Sequence, residues 1–442
     1  MIQQRAIRTA HLGMEIRVID RTDAMARALG LAACQTDDIT RPADTQMSAV
    51  PAGQQDLLTV VAQPALDNVQ AGRLAAIRNR PTTAELHVAR IAGAPGQLLR
   101  GGNVLRLGLA PGLQVVATGQ KAVQRAADDI SWSGPIAGKY GWVQAVMMGG
   151  ELTATVTIGE TQYAIEPIGN GLHAVTRLDP SGFPSEHTAD NPSGALSASL
   201  DRAAGNVQAS RAAGSLSAAA LTTINVMVVY TSSAASAAGN IASKIQLAVD
   251  ETNQSYANSG ISISFNRVYT GQVTYSEAGR SFSQHVSALQ STSDGVMDNV
   301  HTLRNTYAAD LVMLVVNDTE ACGQAAAIKA TAASACAVVH YSCITGYYSF
   351  GHELGHLQGA RHDRTVDGTL TPYQYGHGFI PSTKNWRTIM AYGNGCSNCT
   401  RIQWWSSPLK TYPSTGQVMG TTTYEDNARV LNLTAPTMAA FR

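Results

Sequence analysis

Three imidazoles and a carboxylate fall within one short stretch of this chain, at His352, Glu353, His356 and His362. On a helix, positions i and i+4 share a face, so His352 and His356 can each direct a ring nitrogen at one point. Gly359 adopts the left-handed conformation without a Cβ penalty, which lets the helix end and the chain return His362 as a third donor. Three neutral imidazoles leave a tetrahedral zinc one open position, the catalytic rather than the structural arrangement. Such a metal polarises a carbonyl and acidifies its water. Glu353 stands beside it, placed to take a proton from that water and later pass it to a leaving amine. The pattern therefore implies hydrolysis assisted by one catalytic zinc, with no serine needed as nucleophile. A solvent-facing helix that merely carries histidines and a carboxylate is the alternative, and the complete spacing argues against it.

The spacing HExxHxxGxxH is the zinc signature of the metzincin endopeptidases, and this chain resembles them. Their second hallmark is a methionine turn beneath the metal. Thr388-Ile389-Met390-Ala391-Tyr392-Gly393 matches it in composition and distance, although Met390 taken alone would read as core filler. A narrower resemblance is to the bacterial peptidyl-Asp metallopeptidases. It is carried by Gly359-Ala360-Arg361-His362-Asp363, Tyr375-Gly376-His377-Gly378-Phe379, Trp386-Arg387-Thr388-Ile389-Met390-Ala391-Tyr392, Arg401-Ile402-Gln403-Trp404-Trp405-Ser406-Ser407-Pro408 and Asp426-Asn427-Ala428-Arg429-Val430-Leu431-Asn432. The resemblance implies a secreted zinc endopeptidase, made as a zymogen, that cuts on the amino side of Asp. The competing readings are a metzincin of other specificity, toxin-like, and a non-catalytic binding module on a protease fold. The intact Glu353 speaks against the last.

The same resemblance assigns roles around the metal. Asp363 would support the Met-turn region through hydrogen bonding, as in the adamalysin-like branch. Tyr392 stands where astacins and serralysins place a tyrosine that reaches the metal or the oxyanion; the two branches disagree, so packing is its other reading. Selectivity for Asp needs a cation where the residue after the cut bond sits. Arg387 and Lys384 flank the methionine turn and Arg361 lies inside the zinc motif. A guanidinium binds carboxylate bidentately, which favours Arg387, while a solvated surface charge remains the bland alternative for each. Latency would come from steric blockade by an upstream segment, from the Cys34 thiolate, or from the Asp190 carboxylate in Glu186-His187-Thr188-Ala189-Asp190.

The rest of the composition bounds the class. At 442 residues the chain exceeds one ordinary core. Charged residues are 14% and balanced, so nothing suggests a nucleic-acid or anionic-membrane partner. No run approaches the ~18 apolar residues of a membrane span. Abundant small residues suit an exported bacterial protein. No clear signal peptide is visible before Cys34, because Asp20, Asp23 and Arg27 interrupt any apolar run. Leu31-Ala32-Ala33-Cys34 weakly resembles a lipoprotein box. Cys322, Cys336, Cys343, Cys396 and Cys399 cluster in the second half, which suggests local disulfides. Five is an odd number, so one stays unpaired or joins Cys34, and the connectivity is open. Cys396-x-x-Cys399 also allows half a zinc site or a redox pair. Whether a structural calcium is bound is left open.

The positioning elements follow from periodicity. Residues 1–50 read as leader or poorly ordered sequence. From 51 to 193, alternating runs such as Leu152-Thr153-Ala154-Thr155-Val156-Thr157-Ile158 predict strands. Trp142, Gly149-Gly150, Tyr163-Ala164-Ile165-Glu166-Pro167 and His173 are similar to the metzincin propeptide pattern, an inhibitor of its own enzyme. Residues 194–220 are mostly Ala, Ser and Gly, the expected linker and maturation zone. From 221 to 442 the order β-α-β-α-β predicts a mixed α/β catalytic domain with a twisted sheet, a long active-site helix and an irregular lower part. Helices are expected from 238 to 258, from 294 to 308 and from 426 to 441, the last in spite of Pro436. The resemblance implies an antiparallel edge strand near Ala325, which would hold a peptide substrate as an added strand.

Overall fold

The computed structural model describes residues 45–46, 53–187 and 220–442. The leader, Cys34, Asp190 and nearly all of 194–220 lie outside them. The described residues fall in one compact unit, 44–442.

Glycine-bounded alternation in the first half resolves into one large sheet. Its strands are β1 (Thr45–Gln46), β2 (Gln55–Val60), β3 (Thr83–Ile91), β4 (Val104–Ala110), β5 (Leu113–Thr118) and β6 (Lys121–Ala126). They continue as β7 (Asp129–Pro135), β8 (Gly141–Met148), β9 (Glu151–Ile158), β10 (Thr161–Gly169) and β11 (Leu172–Leu178). The spatial order is β1-β6-β7-β8-β9-β10-β11-β3-β2-β4-β5. Consecutive neighbours from β6 to β11 are antiparallel hairpins. The β8–β9 turn needs two residues at positive φ, and Gly149 (φ 62) and Gly150 (φ 79) supply them.

The second half builds a three-layer α/β unit. Its sheet runs β13 (Ile263–Gln272), β12 (Thr222–Tyr230), β14 (Leu311–Val316), β16 (Cys336–His340), β15 (Gly323–Ala325), with only β15 antiparallel to its neighbour. Alternate residues of β12 and β14 feed two cores, as the period of two requires. Val226, Val228, Met313 and Val315 pack with Ile245 and Ala248 of the helix Ile241–Ser259 and with Leu354. Met227, Val229, Leu314 and Val316 pack on the opposite face with Phe282, Val286 and Val300.

The helix expected from 238 to 258 is present as Ile241–Ser259, and Gly239 (φ 74) separates it from a short preceding helix, Ser232–Ala238. Two expectations are corrected. The helix expected from 294 to 308 shrinks to Asn299–Thr306, since Met297 sits at φ 58, and a further helix, Phe282–Gln290, precedes it. The active-site helix is not long: Ser349–Gln358 spans 10 residues. The last helix, Asn427–Met438, accepts Pro436 near its C-terminal end. No helix among the described residues is long and apolar enough to cross a membrane.

The large sheet covers the outer face of Ile241–Ser259 through polar contacts. Lys244 Nζ donates to Glu166 Oε1 at 2.5 Å and Thr153 and Ser243 hydroxyls meet at 2.6 Å, while Gln403 Nε2 bridges sheet and helix by donating to Gln144 Oε1 at 2.6 Å and to the Glu251 carbonyl at 2.8 Å.

Candidate active site

The helix Ser349–Gln358 starts at Tyr348 (φ 60) and ends at Gly359 (φ 105), and every residue in it is buried. Burial of so short a helix requires small residues where other elements press on it. A Cβ on Gly355 would stand 2.6 Å from the Trp405 ring and 3.1 Å from Met390 Sδ. The absence of that Cβ lets the methionine turn lie directly against the helix. Trp405 is fixed in turn by Nε1 donating to Ser255 Oγ at 2.9 Å.

The turn at Gly359 returns His362 to the other two imidazoles. Arg361 N–H donates to the Gly376 carbonyl at 2.7 Å, and Gly378 N–H to the Arg361 carbonyl at 3.0 Å. His377 Nδ1 lies 2.8 Å from the His362 carbonyl. The third imidazole is therefore held by its own backbone.

Four ring nitrogens converge. His362 Nε2 lies 3.2 Å from His352 Nε2 and 2.8 Å from His356 Nε2. The fourth is His187 Nε2, at 3.2 Å from His352, 3.3 Å from His356 and 3.0 Å from His362. His352 Nδ1 sits 2.9 Å from the Ile389 carbonyl and His356 Nδ1 2.9 Å from the Ala360 carbonyl. Carbonyls only accept, so each Nδ1 carries the proton and each Nε2 turns a lone pair inward. Burial pulls His356 down to about 4, and burial followed by the neighbouring imidazoles holds His352 and His362 well below the usual range. Converging lone pairs without protons repel one another unless a cation lies between them. Tetrahedral zinc with imidazole ligands spaces its nitrogens about 3.3 Å apart. The donor set fits zinc.

Glu353 is buried beside this cluster, with Oε1 3.9 Å from His187 Nε2. Burial pushes its carboxyl well above the usual range, opposed by the Ala325 N–H of the edge strand. Among the described residues its Oε2 has no hydrogen-bond partner. Tyr392 lies with its ring centroid 4.2 Å from that of His362. The Tyr392 N–H donates to Asp363 Oδ2 at 2.8 Å, which ties the residue after the third histidine to the end of the methionine turn.

Next to the metal cluster lies a buried cationic pocket. Arg387 Nη1 donates to Glu186 Oε1 at 2.7 Å, Tyr347 Oη donates to the same oxygen at 2.9 Å, and Arg401 Nη2 contacts Glu186 Oε2. The Arg387 Nε–H is anchored on the Cys399 carbonyl at 3.0 Å, and Arg401 Nη1 on the Tyr347 carbonyl at 2.8 Å. Of the three basic residues singled out from sequence, only Arg387 is brought to this carboxylate. Lys384 is exposed, and Arg361 is buried in an ion pair with Asp367 at 2.9 Å.

Among the described residues the disulfides are Cys322–Cys343 and Cys396–Cys399, and Cys336 is buried and free. The first bridges the start of the edge strand to the segment before the active-site helix. The second sits beside the Cys399 carbonyl that holds Arg387. Sequence reasoning did not find His187, Glu186, Tyr347 or Arg401. Glu186-His187 was in view only as the neighbour of Asp190, and no spacing rule connects it to residues more than a hundred positions downstream.

Comparison with known proteins agrees with this geometry. The profile of Metallo-peptidase family M12 (Reprolysin_5) matches residues 220–406. A peptidyl-Asp metalloendopeptidase from Xanthomonas campestris is 36% identical over 403 residues, covering 87% of this chain and 90% of that protein. One from Stenotrophomonas maltophilia is 41% identical over 302 residues, covering 67% of this chain and 70% of that protein. A third, from Pseudomonas fragi, is 40% identical over 194 residues, covering 43% of this chain and 100% of that protein. With a relative of such identity matched over nine-tenths of its length, and with a buried imidazole cluster suited to zinc, the chain belongs to the peptidyl-Asp metalloendopeptidase family and is a zinc metalloendopeptidase.

Proposed function

We propose that this enzyme cuts proteins on the amino side of aspartate and is made in a latent form, with 51–193 as propeptide, 194–220 as maturation zone and 221–442 as the catalytic domain. The observation that carries the specificity is the pair of buried guanidiniums, Arg387 and Arg401, which with the Tyr347 hydroxyl enclose a carboxylate beside the metal cluster. Arginine stays charged when buried and presents a planar fork to a carboxylate. A neutral side chain in this pocket would leave two desolvated cations unpaired, a penalty that selects for the acid.

His352, His356 and His362 would hold the zinc, which when bound would supply Lewis-acid polarisation and acidify a water at neutral pH. Glu353 accepts a proton from the attacking water and returns it to the leaving amine. Its buried, half-unpaired carboxylate suits that role. Tyr392 packs on His362, and we assign its hydroxyl to the developing oxyanion. Asp363 fixes the methionine turn through the Tyr392 amide, and Met390 forms the floor under Gly355. Substrate lies along the edge strand β15 as an added strand. Two disulfides suit an oxidising compartment, so we place the working enzyme outside the cytoplasm.

Digesting a mixed proteome with the activated enzyme and reading the new termini by mass spectrometry tests this. New N-termini that begin with Asp are expected; a set without enrichment for acidic residues would refute the specificity.

A further inference from the structure

We propose that Glu186-His187 is a two-point plug that imitates a bound acidic substrate: His187 fills the fourth position at the metal while Glu186 fills the carboxylate pocket. The proposal rests on the functional reading above and extends it to the regulation of the same site. Two independent contacts by adjacent residues carry it. His187 Nε2 completes the four-nitrogen cluster, 3.0–3.3 Å from each of the three other imidazoles. Glu186 meets Arg387, Arg401 and the Tyr347 hydroxyl with both of its oxygens.

The flanking chain is seated as well. The Ser185 carbonyl accepts from the Cys322 N–H at 2.7 Å, immediately before the edge strand, and the Phe183 ring stacks on Tyr347 at 4.0 Å. The segment thus uses the recognition features assigned to substrate, namely the strand edge, the acid pocket and the metal. Chain direction differs. In a substrate cut on the amino side of its acid, the acid follows the scissile carbonyl. Here the acid precedes the residue at the metal, so the segment crosses the site in the opposite sense. The His187 imidazole also occupies the position a water would need, and its Nε2 lies 3.9 Å from Glu353 Oε1. The plug therefore occupies the site without being cut in it. Release requires both anchors to leave, which couples activation to separation of the large sheet from the catalytic unit.

The test uses the uncleaved full-length chain loaded with zinc, in wild-type, H187A and E186Q forms. X-ray absorption at the zinc edge counts imidazoles; four are expected in wild type and three with an added oxygen in H187A. Uncleaved H187A and E186Q are each expected to hydrolyse an Asp-containing peptide at least about tenfold faster than uncleaved wild type. Three imidazoles in uncleaved wild type would overturn the plug. So would two variants as silent as uncleaved wild type while proteolytically activated wild type cleaves the same peptide. An activated wild type that leaves the peptide intact would instead overturn the functional reading, and the imidazole count would still decide the plug. Should H187A fail to fold, E186Q keeps the metal ligands and carries the activity test alone.

Discussion

Gly323 and Glu353 compete for the same space: a Cβ on Gly323 would stand 2.3 Å from Glu353 Oε1. The edge strand β15 therefore runs as close to the proposed base as a backbone can, and the Ala325 N–H of the same strand holds the carboxylate. The element that would align substrate also aligns the base.

Replacing Gly323 by Ala is expected to push the carboxylate aside by about an ångström while leaving the imidazoles in place. A misplacement of that size costs on the order of 100-fold in rate. Zinc content measured by atomic absorption should stay near that of wild type while kcat falls. A normal kcat would show that the close approach has no part in aligning Glu353.

Glu353→Gln keeps the shape of the side chain and removes its capacity to accept a proton. Activated enzyme carrying it is expected to retain zinc and to lose roughly 100- to 10,000-fold in kcat, the usual contribution of a positioned base. Turnover close to wild type would remove Glu353 from the mechanism.

How much of this was legible in the sequence depends on whether the determinant is local. His352, His356, His362, Gly359 and Met390 announce themselves because a helix period or a turn fixes their spacing. The run from Leu311 to Val316 is equally readable as a central strand, since both of its faces feed a core. Arg401 reaches the acid pocket only because Trp386–Arg387 pairs in parallel with Thr400–Arg401, a two-residue register invisible to periodicity. His187 meets its partners 165 to 175 positions away, where local pattern has no reach. The helix Phe282–Gln290 did carry a local sign, the Ser281–Gln284 capping box, which a reading based on apolar spacing passes over.

The carboxylate pocket predicts a change in selectivity rather than in bare activity. Arg387→Ala and Arg401→Ala are each expected to depress kcat/KM for peptides with Asp after the cut bond far more than for neutral analogues. Loss of one partner of a buried charge pair costs on the order of 2–5 kcal/mol, roughly 30-fold to several thousandfold in rate. The ratio between the two peptides is the quantity to measure, because both arginines also brace backbone carbonyls. Lys384→Ala should leave that ratio unchanged. An unaltered ratio in both arginine variants would move the specificity site elsewhere.

Glu251 is expected to weaken the contact between the large sheet and the three-layer α/β unit as pH rises. It lies on the helix Ile241–Ser259, accepts from the Gly346 N–H at 3.0 Å and faces Thr155 of β9. Burial raises its carboxyl from 4.5 to about 8. A raised carboxyl stabilises the folded chain fully only below its unfolded value, and that contribution is lost as pH climbs through the folded value. Glu166 works in the opposite sense: its carboxyl, disfavoured by burial but held down to about 2 by Arg80 and Lys244, loses its contribution only as the solution becomes strongly acidic. Buried imidazoles also titrate below neutrality, His173 and His340 being pulled down to about 4 by burial, and they act in the opposite direction, so the difference between wild type and a Glu251 variant is what isolates this carboxyl. In Glu251→Gln the ionisation is gone while the side chain can still accept from Gly346. Urea titrations of uncleaved full-length wild type and variant are expected to show a stability gain for Glu251→Gln that is small at pH 5 and grows steadily to pH 8. A gain that stays flat across this range would mean that Glu251 is already ionised in the folded chain, and that its burial against β9 does not contribute to the pH response of the uncleaved chain.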